Sequence, residues 1–313
     1  MHAASTKAQH IEQRSLQTGI VASALMAVAG LLVHVLSGSY AMLLDGLYSG
    51  VMVGSGLIAA RISSNVVRPP DRSYPYGYDG QEALYVLFRS LVLIGILASA
   101  AMAALGTVIA YCNGETLAAV HLAPVAWYSA SMVIICWWLA WRHHKDWERS
   151  GRCSQLLLNE SRCARIDGLI SGFSGLALLI TPMLSSTPLS PLTPISDSLI
   201  VLVMSAVVVG EPLQAFLTAM RQTAGASAES ETVRHTRDAL DELLKGLSCW
   251  LLDVSVMRVG RTSFVVVYLN PSQPMEASAV DLIRQQVDAR CRNLLKSEVR
   301  SEVILTATPP FNN

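Results

Sequence analysis

The stretch YAMLLDGLYSGVMVGSGLIAARI, residues 40–62, is long and apolar enough to cross a bilayer, yet it carries a carboxylate at Asp45. A span needs about 20 mostly apolar residues. A charged side chain at the bilayer centre costs roughly 3 kcal/mol or more, so an intramembrane carboxylate usually faces a cavity or a partner and is a candidate functional group. A second carboxylate, Asp167, repeats the situation in a later apolar stretch. Each lies one helical turn from another polar group, Ser49 beyond Asp45 and Cys163 before Asp167. The pattern points to a cation path through a membrane; a buried structural salt bridge is the plainer alternative.

Working outward, six stretches qualify as spans: Gly19 to Leu36, Tyr40 to Ile62, Ala83 to Ala110, Leu122 to Trp141, Leu156 to Leu184 and Ile195 to Met220. Composition agrees, with 52% hydrophobic residues, 15% charged and a mean hydropathy of +0.41. The first stretch lacks a small-residue cleavage site and reads as a span, not a removed signal. Lys7 and Arg14 precede span one, Arg61, Arg68 and Arg72 lie at the end of span two and after it, Arg142, Lys145, Arg149, Arg152 and Arg162 run from the end of span four into the start of span five, and Arg221 follows span six. The opposite loops, Ser37 to Ser39, Tyr111 to His121 and Ser185 to Pro194, have no Lys or Arg. Since positive charge accumulates on the cytoplasmic side, both termini are expected there. The formal net charge of zero gives no reason to expect a nucleic-acid partner.

The expected organisation is a cytoplasmic leader over 1–16, a six-helix membrane domain over 17–222 and a cytoplasmic domain over 225–313. In the tail, Ser230 to Leu247 and Glu276 to Leu295 have helical periodicity, whereas Trp250 to Met257, Thr262 to Leu269 and Val299 to Thr308 read as strands. This is an α-β-β-α-β order. The six cysteines show no CxxC spacing, and a disulfide framework is not expected.

Gly46, Gly50 and Gly54 form a small-residue stripe in span two, and Gly168 and Gly172 form one in span five, with Ser171 and Gly175 adjacent. Such stripes let helices approach closely in lipid. If the two stripes mark facing helices, Asp45, Ser49, Cys163 and Asp167 converge. Two carboxylates, a thiolate and a hydroxyl or water would suit a four-coordinate transition metal better than magnesium or calcium, which take six or more oxygens. Metal binding displaces protons from such ligands, a physical basis for exchange of metal against protons. Asn159 and Glu160, one turn before Cys163, could form a cytoplasmic vestibule, or Glu160 could pair with Arg162 or Arg165. Arg89 reads as a snorkelling partner of Glu82, and the basic run from Arg142 to Arg149 as a topogenic, lipid-facing loop. Asp197 and Glu211 lie near opposite ends of span six, where contact with water is affordable.

The entry to span two, Ser37-Gly-Ser-Tyr-Ala-Met-Leu-Leu-Asp45-Gly, and the loop Pro69-Pro-Asp-Arg-Ser-Tyr-Pro-Tyr-Gly-Tyr-Asp-Gly-Gln-Glu82 resemble the cation diffusion facilitator family over nearly the whole chain. The resemblance implies a six-helix α-helical membrane protein with a small α+β ferredoxin-like cytoplasmic domain. It implies a homodimeric exporter in a bacterial inner membrane that exchanges Zn, Mn, Fe, Co or a related divalent cation for protons, with no tightly bound cofactor. In the family, spans two and five supply DxxxD and HxxxD; here the same places read Asp45-Gly-Leu-Tyr-Ser49 and Cys163-Ala-Arg-Ile-Asp167. Relatives carry histidines in the loop after span two, where this chain has Tyr74 and Tyr78, and the tail has only His235 after Gly225. No phosphate loop, GxSxG, HExxH or dinucleotide fingerprint supports an enzyme. The alternatives are a non-transporting binding or scaffold protein, its carboxylates sharing a proton or paired with Arg89 or Arg165, and a carrier of an organic cation.

Overall fold

A computed structural model describes residues 2–66, 70–117, 120–149, 155–186, 188, 190–245, 249–260 and 262–310. Side chains of residues 2–13, 59–60, 63–66, 155–156, 158–159, 163, 166 and 184–186 lie outside that description. The chain divides into two compact units. One comprises residues 1–60 and 89–214, the other 61–88 and 215–313.

Helices α1 (His2–Ser37), α2 (Tyr40–Val66), α3 (Gly80–Cys112), α4 (Leu122–Arg149), α5 (Gln155–Ile180), α6 (Ser196–Val208) and α7 (Gly210–Thr223) carry the apolar stretches. Six segments are long and apolar enough to cross a membrane: Arg14–Ser37, Tyr40–Ile58, Gly80–Cys112, Leu122–Arg149, Glu160–Met183 and Ser190–Thr223. The helices overrun the apolar runs where the flanking residues are good helix formers. The leader, with good helix formers at Ala3, Ala4, Lys7, Ala8, Gln9, Glu12 and Gln13 and no Gly or Pro, continues α1 back to His2. The basic run Arg142 to Arg149 continues α4 instead of forming a loop. Span six is interrupted at Val209, where Pro212 cannot donate to the carbonyl of Val208. After Ile180 the chain passes into two 3₁₀ turns, Thr181–Ser186 and Ser190–Ile195, in a run punctuated by Pro182, Pro188, Pro191 and Pro194.

In the first unit α4 packs mainly against α5 and α1. Its buried side chains, Val125, Tyr128, Ser129, Met132, Cys136, Leu139, Ala140, His143 and Asp146, recur every three or four residues along one stripe. Trp127, Trp137, Trp138 and Trp141 are exposed. Bulky aromatics outward, with the polar groups of the helix turned inward among smaller apolar ones, is the arrangement expected of a lipid-facing helix. The core joins Met26, Met42, Leu44, Leu97, Met132, Leu178 and Val201 from five helices and α4.

The glycine stripes do not face one another. A Cβ on Gly46 would stand 2.9 Å from Leu31 N, and one on Gly30 would stand 2.7 Å from Gly46 Cα, so the α2 stripe meets α1. A Cβ on Gly168 would meet Cys136, on Gly172 Val133 and on Gly175 Ser129, so the α5 stripe meets α4. Glycine spacing marks a close approach without naming the partner. At the C-terminal end of α4 the run read as a lipid-facing basic loop is partly internal. His143 is buried, its Nδ1 2.8 Å from Ser15 Oγ, and buried Asp146 pairs with Arg149 at 3.2 Å and Arg142 at 3.9 Å.

The second unit contains α8 (Ser230–Leu244), β1 (Cys249–Val259), β2 (Thr262–Pro271), α9 (Ala277–Leu295) and β3 (Glu298–Leu305). This is the α-β-β-α-β order read from the sequence. The sheet order is β1-β2-β3, antiparallel between β1 and β2 and parallel between β2 and β3. Alternation on β2 turns Val265, Val267 and Leu269 inward, where Leu240 and Leu244 of α8 and Ile283, Val287 and Cys291 of α9 cover them. The loop before α3 is tied by Asp71. Its Oδ1 accepts from the amides of Ser73 and Tyr74 at 2.8 and 2.9 Å, and its Oδ2 accepts from Tyr78 Oη at 2.5 Å. The rings of Tyr74 and Tyr78 lie 4.4 Å apart. The Tyr76 ring meets Phe264 of β2 edge-on at 5.7 Å. Its phenol bonds to Glu302, whose negative charge pushes the phenol's pKa above its usual value.

Candidate cation site

The start of α2 is set by groups from two places in the chain. Ser39 Oγ donates to Asp197 Oδ1 at 2.5 Å, the amide of Tyr40 donates to Asp197 Oδ2 at 2.8 Å, and that of Ala41 to Oδ1 at 3.4 Å. The first amides of a helix have no partner within it, and a carboxylate there also meets the positive end of the helix dipole. Asp197 is therefore not in contact with water as its place near the end of span six suggested. It is 5% exposed and caps another helix.

One turn further along, Asp45 accepts a hydrogen bond from Tyr128 Oη of α4 at 2.6 Å, and Ser171 of α5 bonds to it as well. Ser49 is buried one turn beyond it on the same helix. Asp167 on α5 is half-buried, and its charge and that of Asp45 act on one another. The charges of Glu160 and Glu211 reach Asp167 too. Both aspartates act on the buried thiol of Cys136, whose Sγ lies 3.9 Å from Met26 Sδ. The Cys163 and Asn159 side chains lie outside the described residues. Among the described residues no three His, Cys, Asp or Glu side chains form a ready-made metal shell.

The cations near the site are otherwise engaged. Arg89 Nη2 lies 2.8 Å from Met52 Sδ, and its charge acts on Glu160. Arg165 Nη2 donates to Ser161 Oγ at 3.2 Å. Among the described residues neither Asp45 nor Asp167 has an ion pair, so the arrangement collects negative charge in an apolar bundle without a resident counter-charge. Glu160 is exposed, and the Arg89 charge acts on it.

Three groups here were not singled out from sequence: Tyr128, Ser171 and Cys136. A signal existed for Tyr128, a polar group within an apolar span, at the spacing of the inward stripe Val125, Met132, Cys136 and Leu139. Ser171 stood among the small residues of the α5 stripe, where packing is the plain reading.

A family model described as the cation efflux transmembrane domain matches residues 16–222. Comparison with curated proteins finds no match to the chain.

Proposed function

From the premise that this multi-pass membrane protein belongs to the cation efflux family, whose members are transporters of divalent cations, we propose that it exports a divalent transition metal in exchange for protons through a site on α2 and α5. The proposed ligands are Asp45 and Asp167, with Cys163 as a third and Ser49 or a water as the fourth. The observation that carries this reading is the pair of carboxylates on two helices of one apolar bundle, Asp45 on α2 bonded by Tyr128 and Ser171 and Asp167 on α5 within reach of the Asp45 charge, neither ion-paired among the described residues.

The chemistry follows from that pair. Two carboxylates in an apolar bundle need a counter-charge, which protons or a cation can supply at the same oxygens. Metal entering as cargo displaces those protons, and protons returning from the other side release the metal, so one site run in alternating access couples the two fluxes. Mixed oxygen and sulfur ligands favour a borderline-soft ion such as Zn over magnesium or calcium. Glu160, with Asn159, is the proposed cytoplasmic vestibule. Residues 17–222 form the proposed membrane domain and 225–313 a cytoplasmic dimerisation domain of a homodimer, both termini on the cytoplasmic side of a bacterial inner membrane.

The test is proton flux in proteoliposomes of the whole protein challenged in turn with Zn, Mn, Fe(II), Co, Ni and Cd, beside an Asp45→Ala/Asp167→Ala variant. Flux with one or two metals that vanishes in the variant supports the exchange. No flux with any metal from a folded protein overturns it.

A further inference from the structure

Tyr128 is 5% exposed in the inward stripe of α4, and its ring could be replaced in shape by phenylalanine. What the hydroxyl adds is one bond, to Asp45 Oδ2 at 2.6 Å. A hydroxyl taken out of water into an apolar bundle costs free energy unless it is bonded, and here the partner is the principal carboxylate of the proposed site. The phenol has little freedom to leave it. A Cβ on Gly30 would stand only 3.0 Å from Tyr128 Oη and 2.7 Å from Gly46 Cα, so the hydroxyl is wedged against the α1–α2 crossing immediately beside Asp45. Ser171 reaches the same carboxylate from α5. Asp45 is thus oriented by groups from two further helices.

We infer that Tyr128 is a positioning and specificity residue of the cation site: by holding Asp45 Oδ2 it fixes the carboxylate's orientation and limits it to single-oxygen binding of the cation. The inference rests on the metal-transport reading. Hydrogen bonds that orient metal-binding carboxylates commonly change affinity by 10- to 100-fold when removed. Single-oxygen carboxylate binding also suits a four-coordinate transition metal, whereas calcium takes carboxylates through two oxygens readily and needs more of them. Tyr128 touches the carboxylate and not the cargo, so its effect falls on how well the cation is held more than on how fast the loaded protein turns over.

The experiment is metal-dependent proton flux by the full-length protein and its Tyr128→Phe variant in proteoliposomes, with Zn, Mn, Co and Ca each titrated. The expected result is a rise of about tenfold or more in KM for the best transition metal, with the maximal rate within about twofold and a narrowed preference over Ca. An unchanged KM and unchanged preference in the variant overturn the positioning role while leaving transport standing. A wild type silent with every metal overturns the transport reading and the role together, and is told apart by that silence. Infrared difference spectra provide a readout independent of flux: the carboxyl band of Asp45, identified by its loss in Asp45→Asn, shifts in Tyr128→Phe. A band that does not move overturns the hydrogen bond itself.

Discussion

Ser39 and Asp197, 158 positions apart in the chain, are joined at the head of α2 by a 2.5 Å hydrogen bond from Ser39 Oγ to Asp197 Oδ1. The same carboxylate also receives the first two amides of the helix that carries Asp45. Asp197→Ala leaves the buried Ser39 hydroxyl without that acceptor, at a cost of about 1–3 kcal/mol, and the part-buried Tyr40 amide without its cap. The expected outcome is a fall of several degrees in the Tm of the detergent-purified protein. Asp197→Asn, which keeps an accepting oxygen, recovers part of it. An unchanged Tm in Asp197→Ala would show that water replaces the cap at no cost.

The glycines of the two stripes should separate sharply under a single methyl. Gly46→Ala drives Cβ to 2.9 Å from the Leu31 backbone nitrogen and 3.1 Å from Gly30 C, contacts that only a shift of α1 can relieve. Gly54→Ala meets nothing within 4 Å. Overpacking of this kind costs about 1–3 kcal/mol, whereas alanine in an open helical site gains up to about 1 kcal/mol over glycine. Thermal unfolding should therefore place Gly46→Ala well below the wild type and Gly54→Ala at or above it. At Gly175, where a Cβ would overlap the Ser129 side chain, Gly175→Ala should be rescued by Ser129→Gly. Equal Tm values for Gly46→Ala and Gly54→Ala would contradict the observed helix crossing.

The parts of this fold legible in the sequence are those that a local pattern dictates. Apolar length alone gives six spans, and the change from 3.6- to 2-residue periodicity gives the α-β-β-α-β tail. What stayed hidden is tertiary. The spacing of Gly46, Gly50 and Gly54 announces a close approach, but nothing in it says that α1, and not α5, is the neighbour. The charges of Arg142 to Arg149 suggest a loop. The helix persists there because Asp146 pairs with Arg142 and Arg149 at helical spacing, and because Ser15 of α1 gives His143 a partner that no local rule supplies. The carboxylates Asp45 and Asp167 were visible because a charge in an apolar run is conspicuous by itself. Tyr128 was not, because an aromatic among five tryptophans on one helix reads as one more apolar group until the helix face is known.

The cysteines should differ in reactivity by burial and by charge. Burial, with Asp288 adding to it, pushes the Cys291 thiol up to about 11. At pH 8 its thiolate fraction then falls from about a tenth to about a thousandth, and only the thiolate reacts. Cys112, exposed at the end of α3, should be alkylated rapidly by a membrane-impermeant maleimide applied to intact cells if the loop after α3 lies outside, as the absence of Lys and Arg there implies. Cys291 should react only after denaturation. The same upward shift makes the folded protein hold the Cys291 proton more tightly than the unfolded chain. That stabilisation is complete below about pH 9 and is lost as pH rises through about 11. Labelling of Cys291 in the native protein at pH 8 would contradict the buried site, and labelling of Cys112 only after the membrane is opened would reverse the orientation.

Arg300 of β3 should govern the loop that precedes α3. Its Nη1 donates to the carbonyl of Tyr76, its Nη2 lies 3.8 Å from the buried carboxylate of Asp79, and Gly77, at φ +84°, has no room for a Cβ beneath the guanidinium. Removing the arginine leaves Asp79, 3% exposed, as a buried charge without its cation, which is worse than removing both partners. Arg300→Ala should therefore lower the Tm more than Arg300→Ala/Asp79→Ala, and it should speed tryptic cleavage after Arg72 by freeing the Tyr76 carbonyl. Gly77→Ala should act in the same direction, since it both strains the backbone and displaces the guanidinium. The double variant distinguishes a charge clamp from simple packing. If it is less stable than Arg300→Ala alone, Asp79 has other partners that outweigh the arginine, and the clamp is not what holds this loop.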